Sequence, residues 1–285
     1  MITSLPRVAI AVRDMDRAVD AFRSRFGMPV HEFEWAPEEL GGRMALCVPP
    51  RGSHIELLSP TDPDRPHSRV FLNFLERRGE GLYALILHAP DPDREAEALE
   101  RRGLRCLPRM AEAGGRDIHP RDACGVLIRI YPEASHARID RELGPHFSRS
   151  APSGLSGIQR VLVAVRDLDA AVTVYRDRLG LEASPVEVTA DARRVVCTPP
   201  GGARIELLAP VGNESSIGRF LGEHGEGMFA LGLESDDVEA TLRTLTANRV
   251  SVHQTGANSC EIEPAAAFGV RFRVEARAPG ESAWK

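Results

Sequence analysis

The sequence predicts an α+β protein in which one domain occurs twice, each copy being built from two βαβββ units. Two observations support this fold class. Four short blocks recur in the same order along the chain, and strand-like and helix-like segments alternate within each copy. With 285 residues, of which 42% are hydrophobic and 27% charged, the chain is long enough for two small domains with ordinary globular cores.

The internal repeat is the stronger of these signals. The blocks of the first copy match those of the second with a separation that shrinks along the chain, which indicates a duplicated domain with shorter loops in its second copy. The matched pairs are 8–16 with 161–169, 55–60 with 205–210, 79–85 with 225–231, and 125–130 with 269–274.

The blocks set the predicted domain boundaries. We predict a first domain over 4–132, a linker over 133–154, a second domain over 155–277 and a tail over 278–285. The linker is rich in Gly, Pro and Ser, and one helical turn is predicted in it around 138–143. The tail contains a Pro-Gly pair and is expected to fray.

Local patterns predict the elements of the first copy in chain order. The apolar, β-branched run 8–12 is a strand, and Asp14 is in position to cap the helix that follows. Apolar residues at i, i+3 and i+4 predict that helix, which Gly27 ends. The remaining elements are strands at 29–33, 43–48, 54–58 and 82–88, a helix at 94–102, and strands that end with 125–131.

The second copy repeats this order with its own stop signals. Its first helix carries the same apolar spacing and ends at Gly180. A strand at 228–233 and a helix at 238–247 follow, and Asn248 is predicted to end the helix in a left-handed conformation. Each copy therefore contains two βαβββ units, and the chain contains four.

Composition excludes several classes of function. The formal net charge is −5, so nothing indicates binding to nucleic acid. No apolar run reaches the ~18–20 residues that a membrane-spanning helix needs, and no charged-then-apolar leader opens the chain. The five cysteines are scattered without a C-x-x-C pair, which favours a reducing compartment and predicts a cytoplasmic protein.

The repeated blocks resemble those of the vicinal oxygen chelate superfamily, which includes glyoxalase I, bleomycin-resistance proteins, extradiol dioxygenases and methylmalonyl-CoA epimerase. The epimerase-like modules are the most similar. The resemblance covers nearly all of the chain except linker and tail. The motifs that carry it in the first copy are AVRDMD at 11–16, IELLSP at 55–60, GEG at 79–81 and IHP at 118–120.

This resemblance implies an architecture for the predicted units. Paired βαβββ units would form a half-open, strongly curved sheet, whose concave side we call a cup, so that the chain has two glyoxalase-like cups. In the superfamily one module commonly pairs with a second copy. The resemblance therefore implies that the two copies pair within the chain, as a pseudo-dimer. Further oligomerisation is left open.

The resemblance also implies a metal site, and this chain departs from it. Members of the superfamily normally hold one divalent metal ion in a cup through four side chains, one from each block. The four positions fall on Arg7, Glu56, Ala84 and Arg129 in the first copy and on Arg160, Glu206, Ala230 and Arg273 in the second. Arginine has no free lone pair, alanine has no donor atom, and one carboxylate is too few for Zn, Mn, Ni or Co. We expect no metal ion at these positions, and no cofactor.

The carboxylates that would act as bases in the epimerase mechanism, which the resemblance implies, are also missing. That mechanism uses the fourth-block glutamate, here Arg129 and Arg273, and a second carboxylate on the strand before the Pro-containing turn. The corresponding strands read MALC at 44–47 and VVC at 195–197, without a carboxylate. The catalytic residues are therefore unknown.

Three interpretations of the Arg–Glu–Arg set stay open. It is a charge network that fills the empty metal position and binds nothing, an anion pocket, or a catalytic site in which arginine stabilises an enolate. Two guanidinium groups beside one carboxylate leave a formal surplus of one positive charge, and guanidinium forks suit carboxylate and phosphate oxygens. The pocket residues under the second interpretation are Arg7, Glu56 and Arg129 in one cup and Arg160, Glu206 and Arg273 in the other.

Three further residues are candidates for contact with a ligand. His54 lies two residues before Glu56 and so shares its strand face. His119 belongs to the IHP motif, and Trp35 lies in a loop that is a candidate lid.

The function predicted from these observations is metal-free binding of a small anionic or acyl compound. The alternative is an isomerase or lyase of the methylmalonyl-CoA epimerase or lactoylglutathione lyase type, acting through Arg and Glu or through an unrecognised metal site. Whether the chain is an enzyme stays open. The expected partner is a small molecule, with no nucleic acid and no membrane.

Overall fold

A computed structural model describes residues 1–34 and 41–278, so Trp35 lies outside the described residues. Within these ranges the chain forms two curved sheets, one of seven strands and one of nine, together with seven α-helices. This arrangement confirms the α+β class predicted from the repeat and the two-cup architecture that the resemblance implies.

Each sheet belongs to one copy of the repeat. The first copy and the linker contain β1 (Ser4–Ala11), α1 (Met15–Asp20), β2 (Val30–Glu32), β3 (Gly42–Cys47), β4 (His54–Pro60), α2 (Pro66–Arg78), β5 (Gly81–Ala89), α3 (Pro92–Arg101), β6 (Arg116–Ile118), β7 (Leu127–Pro132) and α4 (Ala134–Leu143). The strand order of this sheet is β2-β3-β4-β1-β5-β7-β6.

The second copy repeats the pattern. Its elements are β8 (Arg160–Ala164), α5 (Leu168–Val172), β9 (Glu182–Ala183), β10 (Glu187–Val188), β11 (Ala192–Thr198), β12 (Arg204–Pro210), α6 (Ser216–His224), β13 (Gly227–Ser235), α7 (Val238–Ala247), β14 (Val252–Gly256), β15 (Ser259–Ile262) and β16 (Phe272–Ala276). The strand order is β10-β11-β12-β8-β13-β16-β15-β14, and β9 also pairs with β11.

Two βαβββ units contain eight strands, whereas the first sheet has seven strands and the second has nine. In the second copy, β9 and β10 are two short strands on either side of Pro185, which has no N–H to donate to a ladder. In the first copy, the segment that corresponds to β14 is represented by a single bridge between Cys106 and Ile118.

The first helix of each copy ends at the glycine that the sequence predicts, Gly27 or Gly180, and contains a π-helical segment that the sequence does not predict. The Asp14 carboxylate accepts a hydrogen bond from the Arg17 backbone N–H at 3.0 Å, which confirms Asp14 as the cap. The helix then continues as a π-helical segment, Ala21–Arg25, in which the Phe26 N–H donates to the Ala21 carbonyl. The second copy has the same feature at Thr173–Arg178, so the repeat extends to this irregularity.

Helices α2, α4 and α6 add to the predicted elements. α2 and α6 connect the two βαβββ units of each copy, and they turn Phe71 and Leu75, or Ile217 and Leu221, into the interior. The linker forms a helix of ten residues rather than one turn, because Ile139 and Leu143 bury one of its faces.

One predicted stop signal is wrong. Asn248 has φ −81°, and the left-handed residue is its neighbour Arg249 with φ +61°. The Asn248 side chain instead donates a hydrogen bond to the Arg25 carbonyl at 3.1 Å, which ties it to another element rather than to a local turn.

Packing divides the chain into two compact units, and each unit takes segments from both copies. Unit 1 comprises Met1–Pro6, Ala84–Arg138 and Arg160–Ala230, and unit 2 comprises Arg7–Tyr83, Ile139–Gln159 and Leu231–Lys285. In unit 1 the buried Tyr175 hydroxyl donates to the Ala123 carbonyl at 3.4 Å. In unit 2 the Phe22 ring packs against Phe268 and Phe272, with centroids 6.0 and 6.3 Å apart. The domain boundaries drawn from the repeat stay a prediction.

Two expectations drawn from the composition concern the cysteines and membrane-spanning helices. All five cysteines lie within the described residues, and each is a free thiol. In the described part of the chain, every helix is too short or too polar to cross a membrane.

A close backbone approach in unit 2 gives a prediction about stability. Gly269 has φ +76°, and a Cβ atom there would lie 2.0 Å from the Glu80 carbonyl oxygen. Replacing it with alanine combines left-handed strain with a clash against rigid backbone, so we expect Gly269→Ala to lower the free energy of unfolding by about 2–5 kcal/mol in urea denaturation.

Gly103 is the matched control for this prediction. It has φ +85°, yet a Cβ atom there would meet nothing within 4 Å, so Gly103→Ala isolates the backbone strain. We expect a loss of about 1–2 kcal/mol. Equal losses in the two variants would show that the close approach contributes nothing.

Candidate functional site

Strand register places the predicted site residues on one face of each sheet. In the first copy β1 and β4 run parallel, with Arg7 opposite His54 and Ala9 opposite Glu56. Directly paired residues and residues two apart point to the same face of a sheet, so Arg7, His54 and Glu56 share a face. The second copy repeats this register in β8 and β12, where Arg160 lies opposite Arg204, and Leu162 opposite Glu206.

Arg7 and Glu56 form a buried ion pair. The Arg7 Nε atom lies 3.2 Å from Glu56 Oε2, and the side chains are only 4% and 6% exposed. Removing a charge from water at this depth costs several kcal/mol unless an opposite charge accompanies it. The guanidinium therefore supplies, within the protein, the positive charge that the buried carboxylate requires.

Arg129 pairs with a carboxylate that the sequence interpretation missed. Its Nε donates to Asp117 Oδ2 at 3.3 Å, and both side chains are buried. Asp117 lies on β6 directly opposite Arg129 on β7. The available signal was its place directly before the IHP motif, since Glu261 holds the matching place directly before 262–264 in the second copy.

The second copy contains the same two pairs with additional arginines. Arg160 Nη1 lies 3.6 Å from Glu206 Oε1, and Arg194 Nη1 lies 3.5 Å from the same oxygen. Arg194 also donates to Glu187, and this hydrogen bond is the main reason that its pKa is raised, so it stays charged. Arg194 is not among the residues predicted from the sequence, because it lies outside the four repeated blocks.

The fourth-block arginine of the second copy is also paired. Arg273 Nε donates to Glu261 Oε2 at 3.4 Å, and Arg271 Nη1 contacts Glu261 Oε1. Each predicted arginine thus lies against a carboxylate of its own unit. That Arg7, Glu56 and Arg129, or their equivalents, converge in one cup stays a prediction.

The two histidine candidates have different environments. His54 is buried at 7% exposure and faces the same side of the sheet as Glu56. His119 caps a short 3₁₀ turn, Pro120–Asp122, where its Nδ1 accepts a hydrogen bond from the Arg121 backbone N–H at 3.2 Å. His119 therefore has a local structural role, and a role as a cup lining residue stays a prediction.

The residues at the inherited metal positions do not fit a divalent cation. Ala84 and Ala230 are fully buried and offer no ligand atom, and the arginines direct positive charge at the carboxylates. Glu56 and Glu206 each provide one carboxylate, whereas a structural or catalytic site needs three or more ligands.

A different group in unit 2 offers three ligand atoms close together. His253, Glu261 and Glu263 bring theirs within 4.8 Å of one another, and His253 Nδ1 lies 3.0 Å from Glu263 Oε1. Glu261 is at the same time held by Arg271 and Arg273, so a cation there would meet two guanidinium groups.

Comparison with known proteins gives a consistent relationship. A family model described as the Glyoxalase/Bleomycin resistance protein/Dioxygenase superfamily matches residues 7–120 and 159–264, one region in each copy. The chain is 30% identical over 131 residues to mitochondrial methylmalonyl-CoA epimerase of Mus musculus, covering 45% of this chain and 74% of that protein. The Bos taurus protein of the same name is 29% identical over 132 residues, covering 46% and 75%.

One solved structure matches the whole chain. A mutant of 4-hydroxymandelate synthase from Streptomyces coelicolor covers 100% of this chain and 95% of its own, with a TM-score of 0.69 and 14% identity, which shows likeness of fold alone. Methylmalonyl-CoA epimerase from Mycobacterium tuberculosis is 31% identical and covers 46% of this chain and 93% of its own, with a TM-score of 0.42.

The buried pair in the first copy gives a prediction about stability. Arg7→Leu leaves Glu56 as a buried carboxylate without its main cation, so we expect a loss of about 3–5 kcal/mol in the free energy of unfolding. The double variant Arg7→Leu, Glu56→Leu removes both charges and should recover to within about 1 kcal/mol of wild type.

A surface pair serves as the control in the same denaturation experiment. Arg243 and Glu239 form an ion pair on the exposed side of α7. Arg243→Leu should change stability by no more than about 0.5 kcal/mol. A double variant as unstable as Arg7→Leu would contradict the charge-pair account.

Proposed function

Because the chain belongs to the glyoxalase/bleomycin resistance protein/dioxygenase superfamily, we propose that it uses this fold to bind a small anionic or acyl compound without a metal ion. The observation that carries this proposal is the substitution of guanidinium groups at the inherited metal positions in both copies. The arginines there lie 3.2 to 3.6 Å from buried carboxylates, so they are held in place on the strands.

Arginine suits this role for chemical reasons. A guanidinium is permanently charged and presents several donors in a rigid fork, which matches two oxygens of a carboxylate or phosphate. An anionic ligand can therefore take the place that a metal-bound oxygen occupies in a metal-dependent relative. The curated relatives are named for methylmalonyl-CoA, an acyl thioester with a free carboxylate, so this compound is a suitable first probe.

An enzymatic alternative is retained on one observation. The group His253, Glu261 and Glu263 has the ligand types of a divalent metal site outside the inherited positions. Under this alternative the chain would be an isomerase or lyase of the epimerase or glyoxalase type.

The proposal predicts metal-independent binding. In thermal unfolding of protein dialysed against EDTA, methylmalonyl-CoA or malonate should raise the midpoint, with a stabilisation of about 2.7 kcal/mol at one hundred times Kd. Malonamide, which has the same backbone without charge, should have no effect. Arg160→Leu should abolish the stabilisation by malonate.

Two results would decide against the proposal. If chelation removes binding or an epimerase activity, and added Zn, Mn, Co or Ni restores it, the metal-dependent alternative is correct. If no anion shifts the midpoint, the arginines form an inert charge network.

A further inference from the structure

The two copies differ at the positions that surround the buried glutamate. Strand register aligns Arg160 and Glu206 of the second copy with Arg7 and Glu56 of the first. The same alignment makes Arg194 equivalent to Met44, because each pairs with the leucine that lies two residues after the buried glutamate of its own copy. It also makes Arg204 equivalent to His54. The second copy therefore has arginine at two places where the first has a methionine and a histidine.

Arg160, Arg194 and Arg204 share one face of the second sheet with Glu206, and we call these four residues the arginine cluster. Arg194 lies opposite Leu208, and Arg204 lies opposite Arg160. Because Leu208 and Arg204 are each two residues from Glu206 on β12, all four side chains project to the same side. The whole arginine cluster lies within unit 1.

The two copies also differ in how far their arginine side chains are exposed to solvent. In the first copy the Arg7 side chain is 4% exposed, so its ion pair with Glu56 is closed to solvent. In the second copy Arg160 is 19% and Arg194 31% exposed, while Glu206 stays buried. Water reaches the guanidinium groups of the second copy but not the corresponding group of the first.

The charge around Glu206 also favours an anion. Arg160 and Arg194 both contact the buried Glu206 carboxylate, and the second carboxylate in contact with Arg194 is that of Glu187 on the short strand β10. Glu187 is 57% exposed, and surface pairs of this kind contribute little to stability. An incoming oxyanion can replace Glu187 at Arg194 without exposing a buried charge.

From these observations we infer that the second copy contains the anion site, that the arginine cluster forms it, and that the first copy is a closed structural counterpart. The inference rests on the proposed anion binding and adds its location. The ligand class is a small oxyanion, a carboxylate or a phosphate, because a guanidinium fork binds both.

The test uses isothermal titration calorimetry of the full chain with malonate and, separately, with inorganic phosphate, and malonamide as the uncharged control. We expect one binding site per chain rather than two. Arg194→Met and Arg204→His install the residues that the first copy has at these positions. Each should weaken binding of the better probe at least ten-fold, since a charge-assisted hydrogen bond is lost.

Arg193→Met is the matched control. Arg193 is adjacent to Arg194 on β11, points to the other face of the sheet, is 46% exposed and lies 3.6 Å from Asp169. The substitution Arg193→Met removes the same charge from the same strand and should leave the affinity within two-fold of wild type. Thermal midpoints of all variants separate loss of binding from loss of folding. Arg194→Met should still fold, because Arg194 is partly exposed and Arg160 still contacts Glu206.

The outcomes distinguish this inference from the proposal on which it rests. If wild-type protein binds a probe but Arg194→Met and Arg204→His bind it equally well, or if two sites are titrated, anion binding stands and its assignment to the second copy is wrong. If wild-type protein binds neither probe, both are wrong. A higher affinity for phosphate than for malonate would identify phosphate as the preferred oxyanion of the site.

Discussion

A carboxylate buried on one face of each sheet is the constraint on which the site depends. Glu56 and Glu206 are each 5% exposed, and a negative charge at that depth is stable only with a positive charge beside it. In metal-dependent members of the superfamily, as the resemblance implies, the partner is a metal ion. Here the partner is arginine, which keeps the charge balance within the chain but changes what the site can bind.

This replacement has opposite consequences in the two copies. In the first copy the Arg7–Glu56 pair is buried and the neighbouring positions are His54 and Met44, so the charges satisfy each other. In the second copy Arg194 and Arg204 add positive charge in a more exposed setting, which leaves the carboxylate satisfied and the cluster cationic. Under the proposed anion binding, the duplicated domain keeps one pair for structure and uses the other for a ligand.

The two units show how the duplication is used in packing. Each combines segments of both copies, and the contacts within it repeat: Gly125 approaches the Glu226 carbonyl in unit 1 as Gly269 approaches that of Glu80 in unit 2. Such approaches exclude a side chain at the glycine, because a Cβ atom would overlap the facing carbonyl. Truncating the chain after its first copy would therefore remove residues from the interior of both units.

The sequence by itself determined the duplication, the α+β class and the helix cap at Asp14, because all of these follow from local pattern. With the family resemblance, it also placed arginine and alanine at inherited metal positions. Only the tertiary structure decided which carboxylate each arginine meets. Asp117 and Glu261 reach Arg129 and Arg273 across antiparallel strands, and Arg194 reaches Glu206 from a neighbouring strand. Strand register creates these contacts. The difference in exposure between the copies is also decided only by the tertiary structure. Register is set by the whole sheet rather than by any one segment.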